Sequence, residues 1–312
     1  MKYHHAFHAG NFADVHKHVT LLALLGALKR KEKGFFYLET HAGRGSYEGK
    51  GEAAVEAQQG IGRFKAVTQH AQELQTYANA IATFRKARNN AHAYPGSPLL
   101  AANALRAQDR GVLVELLPNE ARALERALPA HPGLHVESGD GFARLRAHLP
   151  PAERRGLTFI DPPYEETQLD FERVKAAIGA ALRRFATGVI AVWYPIKDAR
   201  DTAAWQASLV DSVAHPVLVS ELWLYPRDSR VALNGSGLLI VNPPYQSTER
   251  MRLWLPQLHA SLDPKNAGGW DARLLPTLAR QSRSGITSKS STPEPHEYSA
   301  RSVRRRRPPG RA

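Results

Sequence analysis

Residues 156–164 read GLTFIDPPY, and residues 235–245 read GSGLLIVNPPY. Each is a run of strand-type residues that stops at two prolines. Proline has no N–H to give a ladder, so a central strand must end where the pair begins. Asp161 therefore stands at the carboxyl end of one strand and Asn242 at the end of another. The two quartets, Asp161-Pro162-Pro163-Tyr164 and Asn242-Pro243-Pro244-Tyr245, are expected to share a local shape. Their neighbours decide what each can do.

Working outward, strand and helix patterns alternate. GFFYLETHAG (34–43), GVLVELLP (111–118), LHVESGDG (134–141), GVIAVWYP (188–195) and VLVSELWLYP (217–226) read as further strands. SPLLAANALRAQ (97–108), NEARALERAL (119–128), DFERVKAAIGAALRRF (170–185) and AAWQASLVDSV (203–213) read as helices between them. Ser97 and Asn119 are the expected N-caps of the first two, with Pro98 in the first turn. Strands separated by helices predict an α/β fold with a mostly parallel sheet covered on both faces. Consecutive apolar positions within the strands agree with burial on both sides.

One stretch exceeds this rhythm. A strand-helix-strand unit needs about 30 residues, and the span from the first strand to the second is far longer. The surplus, about 46–95, carries a helical pattern and is expected to be an insertion. Its Arg63, Lys65, Arg85, Lys86 and Arg88 offer cations to a phosphate backbone, or simply form a solvated face. The domain is expected to run over 1–268. Residues 269–312, rich in Ser, Pro and Arg, are expected to form a disordered basic tail.

The chain has 312 residues, a net charge of +13 and no cysteine. The missing thiols exclude disulfides, thiolate metal sites and cysteine nucleophiles, and suit a reducing cytoplasm. From Gln281 onward eight Lys/Arg stand against two Glu, so +6 lies there and the remainder keeps +7. A basic body favours a polyanionic partner, nucleic acid first. The longest apolar run, around Val19 to Leu28, is too short for a membrane span. No secretory signal is expected at the start.

Four strand ends carry chemistry. Glu39-Thr40-His41-Ala42-Gly43-Arg44-Gly45 follows the first strand, an acid and then close glycines that let backbone approach a ligand. It is neither a P-loop nor a full GxGxxG. Glu115 ends the second strand, where a carboxylate can accept from two ribose hydroxyls. Asp140-Gly141 ends the third, with an acceptor for an adenine amino group and room for its ring. Asp161 ends the fourth. Each alone is an ordinary turn or surface acid. Ligands of open parallel sheets lie outside the carboxyl ends of the strands, and all four features fall there. This is the arrangement of an S-adenosylmethionine-dependent methyltransferase acting on an amino group.

The (Asp or Asn)-Pro-Pro-aromatic quartet suits that chemistry. An exocyclic amine shares its lone pair with the ring and is a poor nucleophile. The Asp161 carboxylate and the Pro162 carbonyl can accept its two N–H bonds and free the lone pair. Tyr164 can offer a stacking face, worth about 1–3 kcal/mol per base. Asn242 ends the last strand, which in such folds runs antiparallel, so its quartet is expected on the opposite edge as a strand terminator. The N-terminal YHHAFHAGNFADVHKH contains His4, His5, His8, His16 and His18. It lacks a metal-ligand helix motif, and no metal is expected. It is expected to line the mouth of the site, with Tyr3 stacking on RNA and Lys17 and His18 facing ligand or phosphate.

From Tyr3 to about Leu262 the chain closely resembles the bacterial 23S ribosomal RNA adenine-N6 methyltransferase family known as RlmJ. HAGNFADVHKH, THAGRG, YPGSPL, Glu115, Asp140-Gly141, FIDPPYE, RRFATGVIAVWYP and LIVNPPY carry the resemblance. It implies a Rossmann-like class I methyltransferase fold with a seven-stranded, mostly parallel sheet and a helical insertion. It implies S-adenosyl-L-methionine as cofactor, contacted by His18, His41, Ser97, Glu115, Asp140, Gly141 and Asp161. Asp161 is implied as the catalytic acceptor, with Tyr3, His5 and Lys17 near the substrate. The implied partner is 23S RNA, naked or early in assembly, met by a monomer in the cytoplasm. After Gly268-Gly269-Trp270 the chain departs from the family pattern. DNA adenine methylation would use the same groups, and a non-catalytic RNA-binding assembly factor would keep the fold without turnover.

Overall fold

The computed structural model describes residues 8–49, 52–64, 71–229 and 231–276. Tyr3, His5 and Lys65 lie outside them, as does the tail beyond residue 276.

The main sheet has eight strands among the described residues, in the order β10-β8-β9-β7-β6-β1-β4-β5. These are β1 (Phe36–Glu39), β4 (Arg110–Glu115), β5 (Leu134–Ser138), β6 (Gly156–Ile160), β7 (Val189–Ile196), β8 (Val217–Trp223), β9 (Gly235–Val241) and β10 (Gly269–Leu274). Neighbours among β5, β4, β1, β6 and β7 pair in parallel. β9 runs antiparallel to both β7 and β8, and β10 is antiparallel to β8.

The eighth strand corrects the expected count of seven. It lies within the stretch assigned to the tail. Trp270, Ala272 and Leu274 alternate there, and the Ala272 side is buried at 1% exposure. That period of two is a strand signal, masked by the Asp and Arg between.

The same alternation divides the core. Tyr37, Phe159, Leu238 and Ile240 face one layer, and Leu38, Ile160, Leu239 and Val241 the other. The second layer is closed by α6 (Gly141–His148), α7 (Thr167–Arg184) and α8 (Ala199–Ser212). The first is closed by α1 (Phe12–Lys29), α3 (Gln72–Ala87), α4 (Ser97–Ala104), α5 (Pro118–Ala127) and α9 (Ser247–Leu262).

The histidine-rich start is therefore not a polar mouth segment alone. Its last seven residues, Phe12–His18, open the buried helix α1, in which His16, Lys17, His18 and Thr20 are at most 3% exposed. Such groups are tolerated in a core only when paired. His16 sits between Ser236 Oγ (3.0 Å) and Ser220 Oγ (2.9 Å), tying α1 to β9 and β8. Burial holds its imidazole down at about 3, so it is neutral. Asn11 caps α1, accepting from Asp14 N at 3.0 Å.

In the surplus segment, β2 (Ser46–Tyr47) and β3 (Tyr94–Pro95) pair antiparallel, with α2 (Glu52–Gln59) and α3 between them. Two of the expected phosphate-facing cations have structural duties. Arg63 Nη1 donates to Leu262 O, and Arg85 Nε to Ala93 O. Lys86 and Arg88 are exposed.

The expected caps shift by one or two residues. Gly96 precedes α4 and Leu117 precedes α5, placing Ser97 and Asn119 inside their helices. Proline in each first turn supplies the fixed φ that starts the helix. No described helix is long and apolar enough to cross a membrane.

Candidate active site

Because β1, β4, β5 and β6 are parallel, their carboxyl ends share one edge. Glu39, Glu115, Asp140 and Asp161 all lie there. β9 is antiparallel, so its end pairs with the start of β7 (Val241 with Ile190). Asn242 consequently sits on the far edge.

Asp161 belongs to a buried ion network centred on Lys17. Lys17 Nζ lies 2.6 Å from its Oδ2 and 2.8 Å from Asp14 Oδ1, with the three side chains 4–11% exposed. Burial alone would lower the lysine. The two carboxylates outweigh it and hold the amine above its ordinary value. Among the described residues, no donor engages the other oxygen of Asp161. The ammonium also lies 5.3 Å from the centre of the Trp193 ring, within cation–π range.

Glu39 is fully buried beneath this pair. Ser97 Oγ donates to its Oε1 at 2.5 Å, and Tyr37 Oη to its Oε2 at 2.9 Å. Burial pushes the carboxyl up to about 8 against the pull of those two hydrogen bonds, and Asp161 adds to the rise. Ser97 is thus a partner of Glu39.

Glu115 ties two strand tips together. Its Oε2 accepts from Gly43 N and its Oε1 from Leu117 N, both at 2.8 Å. Gly43 adopts φ +64°, a left-handed turn that favours glycine. A carboxylate has about four acceptor sites, so both oxygens of Glu115 retain capacity for a ligand's hydroxyls. Asp140 caps α6, its Oδ1 accepting from Phe142 N and Ala143 N. The adjacent Gly141 has a structural reason: a Cβ there would fall 1.9 Å from Thr40 O. It lets α6 start against the end of β1. His41 stacks edge-on to Phe142, with ring centres 4.9 Å apart. Burial lowers its imidazole to about 4, so it is neutral near pH 7. This set fits a ligand with hydroxyls near Glu115 and an amino group near Asp140.

Two expectations change. Tyr164 is no open stacking platform in this structure. Its ring is 2% exposed, packed edge-on to Phe171 and Trp193, and its hydroxyl donates to Trp193 O at 2.6 Å. The packing holds the residue at φ +52°, a backbone conformation rare for a bulky side chain. Among the described residues, a partly exposed aromatic near this pair is Trp193, whose ring centre lies 5.3 Å from Lys17 Nζ. His18 is fully buried with Nδ1 2.8 Å from Tyr94 Oη, turned toward the insertion.

The two quartets share letters, not shape. In the first the left-handed residue is Tyr164. In the second it is Asn242 (φ +53°), whose Nδ2 donates to Ala186 O at 2.8 Å and Gly188 O at 2.9 Å. Tyr245, the counterpart of Tyr164, is 81% exposed. Asn242 staples a turn.

Glu39, Asp14 and Trp193 were not among the expected site residues. In the sequence Glu39 reads only as a strand-end acid. The spacing of Asp14 and Lys17, three apart on a helix, was a readable pairing signal.

A family model described as "Ribosomal RNA large subunit methyltransferase D, RlmJ" matches residues 32–275. Ribosomal RNA large subunit methyltransferase J of Haemophilus influenzae is 39% identical over 273 residues, covering 86% of this chain and 97% of that protein. The Escherichia coli protein of the same name is 38% identical over 271 residues, covering 86% and 96%. A solved structure of a Legionella pneumophila protein is 36% identical with a TM-score of 0.76, covering 85% of this chain and 98% of that one.

Proposed function

The chain belongs to the RlmJ family of ribosomal RNA large subunit methyltransferases, and from that premise we propose that it methylates the N6 amino group of an adenine in 23S ribosomal RNA, using S-adenosylmethionine. The observation that carries this reading is the position of Asp161. It ends β6 on the edge that also holds Gly43, Glu115 and Asp140, and Lys17 fixes one of its oxygens.

The chemistry follows from those groups. The cofactor, when bound, supplies a methyl group made electrophilic by its sulfonium. Glu115 and Asp140 are suited to hold the hydroxyls and the amino group of its adenosyl part. Asp161 accepts one N–H of the target amine through Oδ1, while Lys17 holds Oδ2. The Pro162 carbonyl accepts the second N–H. With both hydrogens directed to acceptors, the nitrogen lone pair is released from the ring. Alignment of this kind draws on the ~7–11 kcal/mol available from positioning. The target base must first leave its stack, at a cost of a few kcal/mol. Trp193, partly exposed and with its ring centre 5.3 Å from the Lys17 ammonium, offers an aromatic surface to receive it. The net charge of +13 suits a polyanionic substrate. The absence of cysteine suits the cytoplasm.

The test is transfer of labelled methyl from S-adenosylmethionine to protein-free 23S RNA, followed by mapping of the product. N6-methyladenine at a single position is expected. Transfer to a DNA duplex but not to RNA would reassign the substrate. No transfer to either would leave only an RNA-binding role.

A further inference from the structure

Asp14 has two carboxylate oxygens with different duties. Its Oδ2 accepts from Gly10 N at 2.9 Å, and its Oδ1 lies 2.8 Å from Lys17 Nζ. The first contact is what any acid in the opening turn of a helix does for free backbone N–H groups. The second is not. It directs the carboxylate inward, where the side chain is 5% exposed, at a lysine whose other partner is Asp161. Gly10 itself is fixed from the other side, since Ile61 N donates to Gly10 O at 2.9 Å. The carboxylate thus hangs from a clamped turn.

We infer that Asp14 is a positioning residue for methyl transfer: it holds the Lys17 ammonium against Asp161 Oδ2, and so fixes which oxygen of Asp161 is turned to the target amine. The inference rests on the reading of Asp161 as the acceptor for that amine.

The geometry favours this over a purely structural role. A lysine stem is flexible, with three rotatable donors. One ammonium on one partner can swing about it. Held by two carboxylates from different elements, α1 and the tip of β6, its position is defined. Without Asp14 no second carboxylate keeps Lys17 Nζ on Asp161 Oδ2, and the carboxylate of Asp161 is free to rotate.

The test is a double-mutant cycle on the full chain, with Asp14→Asn, Lys17→Met and the pair combined. Each is assayed for methyl transfer to protein-free 23S RNA and for S-adenosylmethionine binding by calorimetry. Asp14→Asn is expected to lower kcat about tenfold or more, with cofactor Kd changed by less than about twofold. The double variant is expected to match Lys17→Met alone, because residues acting through one another do not add. Losses that multiply, or an Asp14→Asn kcat within about twofold of the parent, overturn the inference.

A crystal structure of the Asp14→Asn protein reads the same point without turnover and without Lys17→Met. Lys17 Nζ is expected to leave its 2.6 Å position on Asp161 Oδ2; an unmoved lysine overturns the inference. If the parent protein transfers no methyl group, the function fails, and this structure still decides whether Asp14 sets the geometry of Lys17 and Asp161.

Discussion

Lys17 Nζ and Asp161 Oδ2 are 2.6 Å apart and come from segments separated by 144 residues. The contact joins the N-terminal helix to the tip of a central strand. It makes one lysine the counter-charge of two buried carboxylates. Removing that lysine should cost more stability than removing either acid. Breaking a buried ion pair from one side costs about 3–5 kcal/mol. Lys17→Met should fall in that range, because Asp14 and Asp161 are then left facing one another. Asp161→Ala should cost less, since Lys17 keeps Asp14. Urea denaturation of the two variants checks the order; an equal or reversed order contradicts it.

Glu39 gives a pH dependence with a definite sign. Its carboxyl is pushed up to about 8 from an ordinary value near 4.5. The folded state therefore holds a proton that the unfolded chain has released. The contribution is fully present below about 4.5 and is lost as pH rises through about 8. One proton sets a ceiling of about 1.4 kcal/mol per pH unit. His16 and His41, both lowered by burial, act in the opposite sense at lower pH. Comparison with Glu39→Gln cancels them. The parent should lose stability relative to this variant between pH 5 and 8, measured by denaturation at each pH. A constant difference contradicts the assignment.

Tyr164 should behave as a packing residue. Its hydroxyl satisfies Trp193 O from inside the core. Tyr164→Phe should lower stability by about 1 kcal/mol and keep methyl transfer. Trp193→Ala should weaken transfer to RNA instead. Unchanged transfer in Trp193→Ala would contradict this division of roles.

The legible parts of this protein were those where backbone rules act locally. Proline pairs ended β6 and β9, glycine turned the chain after β1, and parallel strands brought Glu115, Asp140 and Asp161 to one edge. The illegible parts depended on partners distant in sequence. His16 and Lys17 made α1 look like a polar segment, because Ser220, Ser236 and Asp161 are more than a hundred residues away. Nothing local distinguished Tyr164, buried against Trp193, from Tyr245, left 81% exposed. Ser97 looked like a cap until Glu39 was seen beside it. β10 was hidden by Asp271 and Arg273, which flank the buried Ala272 in a strand only six residues long.

The most direct test compares Asp161→Ala with Asn242→Ala in transfer of labelled methyl to protein-free 23S RNA, with cofactor binding measured alongside. Loss of a preorganised transition-state contact costs roughly 10²–10³-fold in turnover. Asp161→Ala should fall at least that far while still binding S-adenosylmethionine. Asn242→Ala, which strands the carbonyls of Ala186 and Gly188, should lose about 1–3 kcal/mol of stability and keep its turnover. Equal loss of turnover in both variants, or an active Asp161→Ala, would contradict the account.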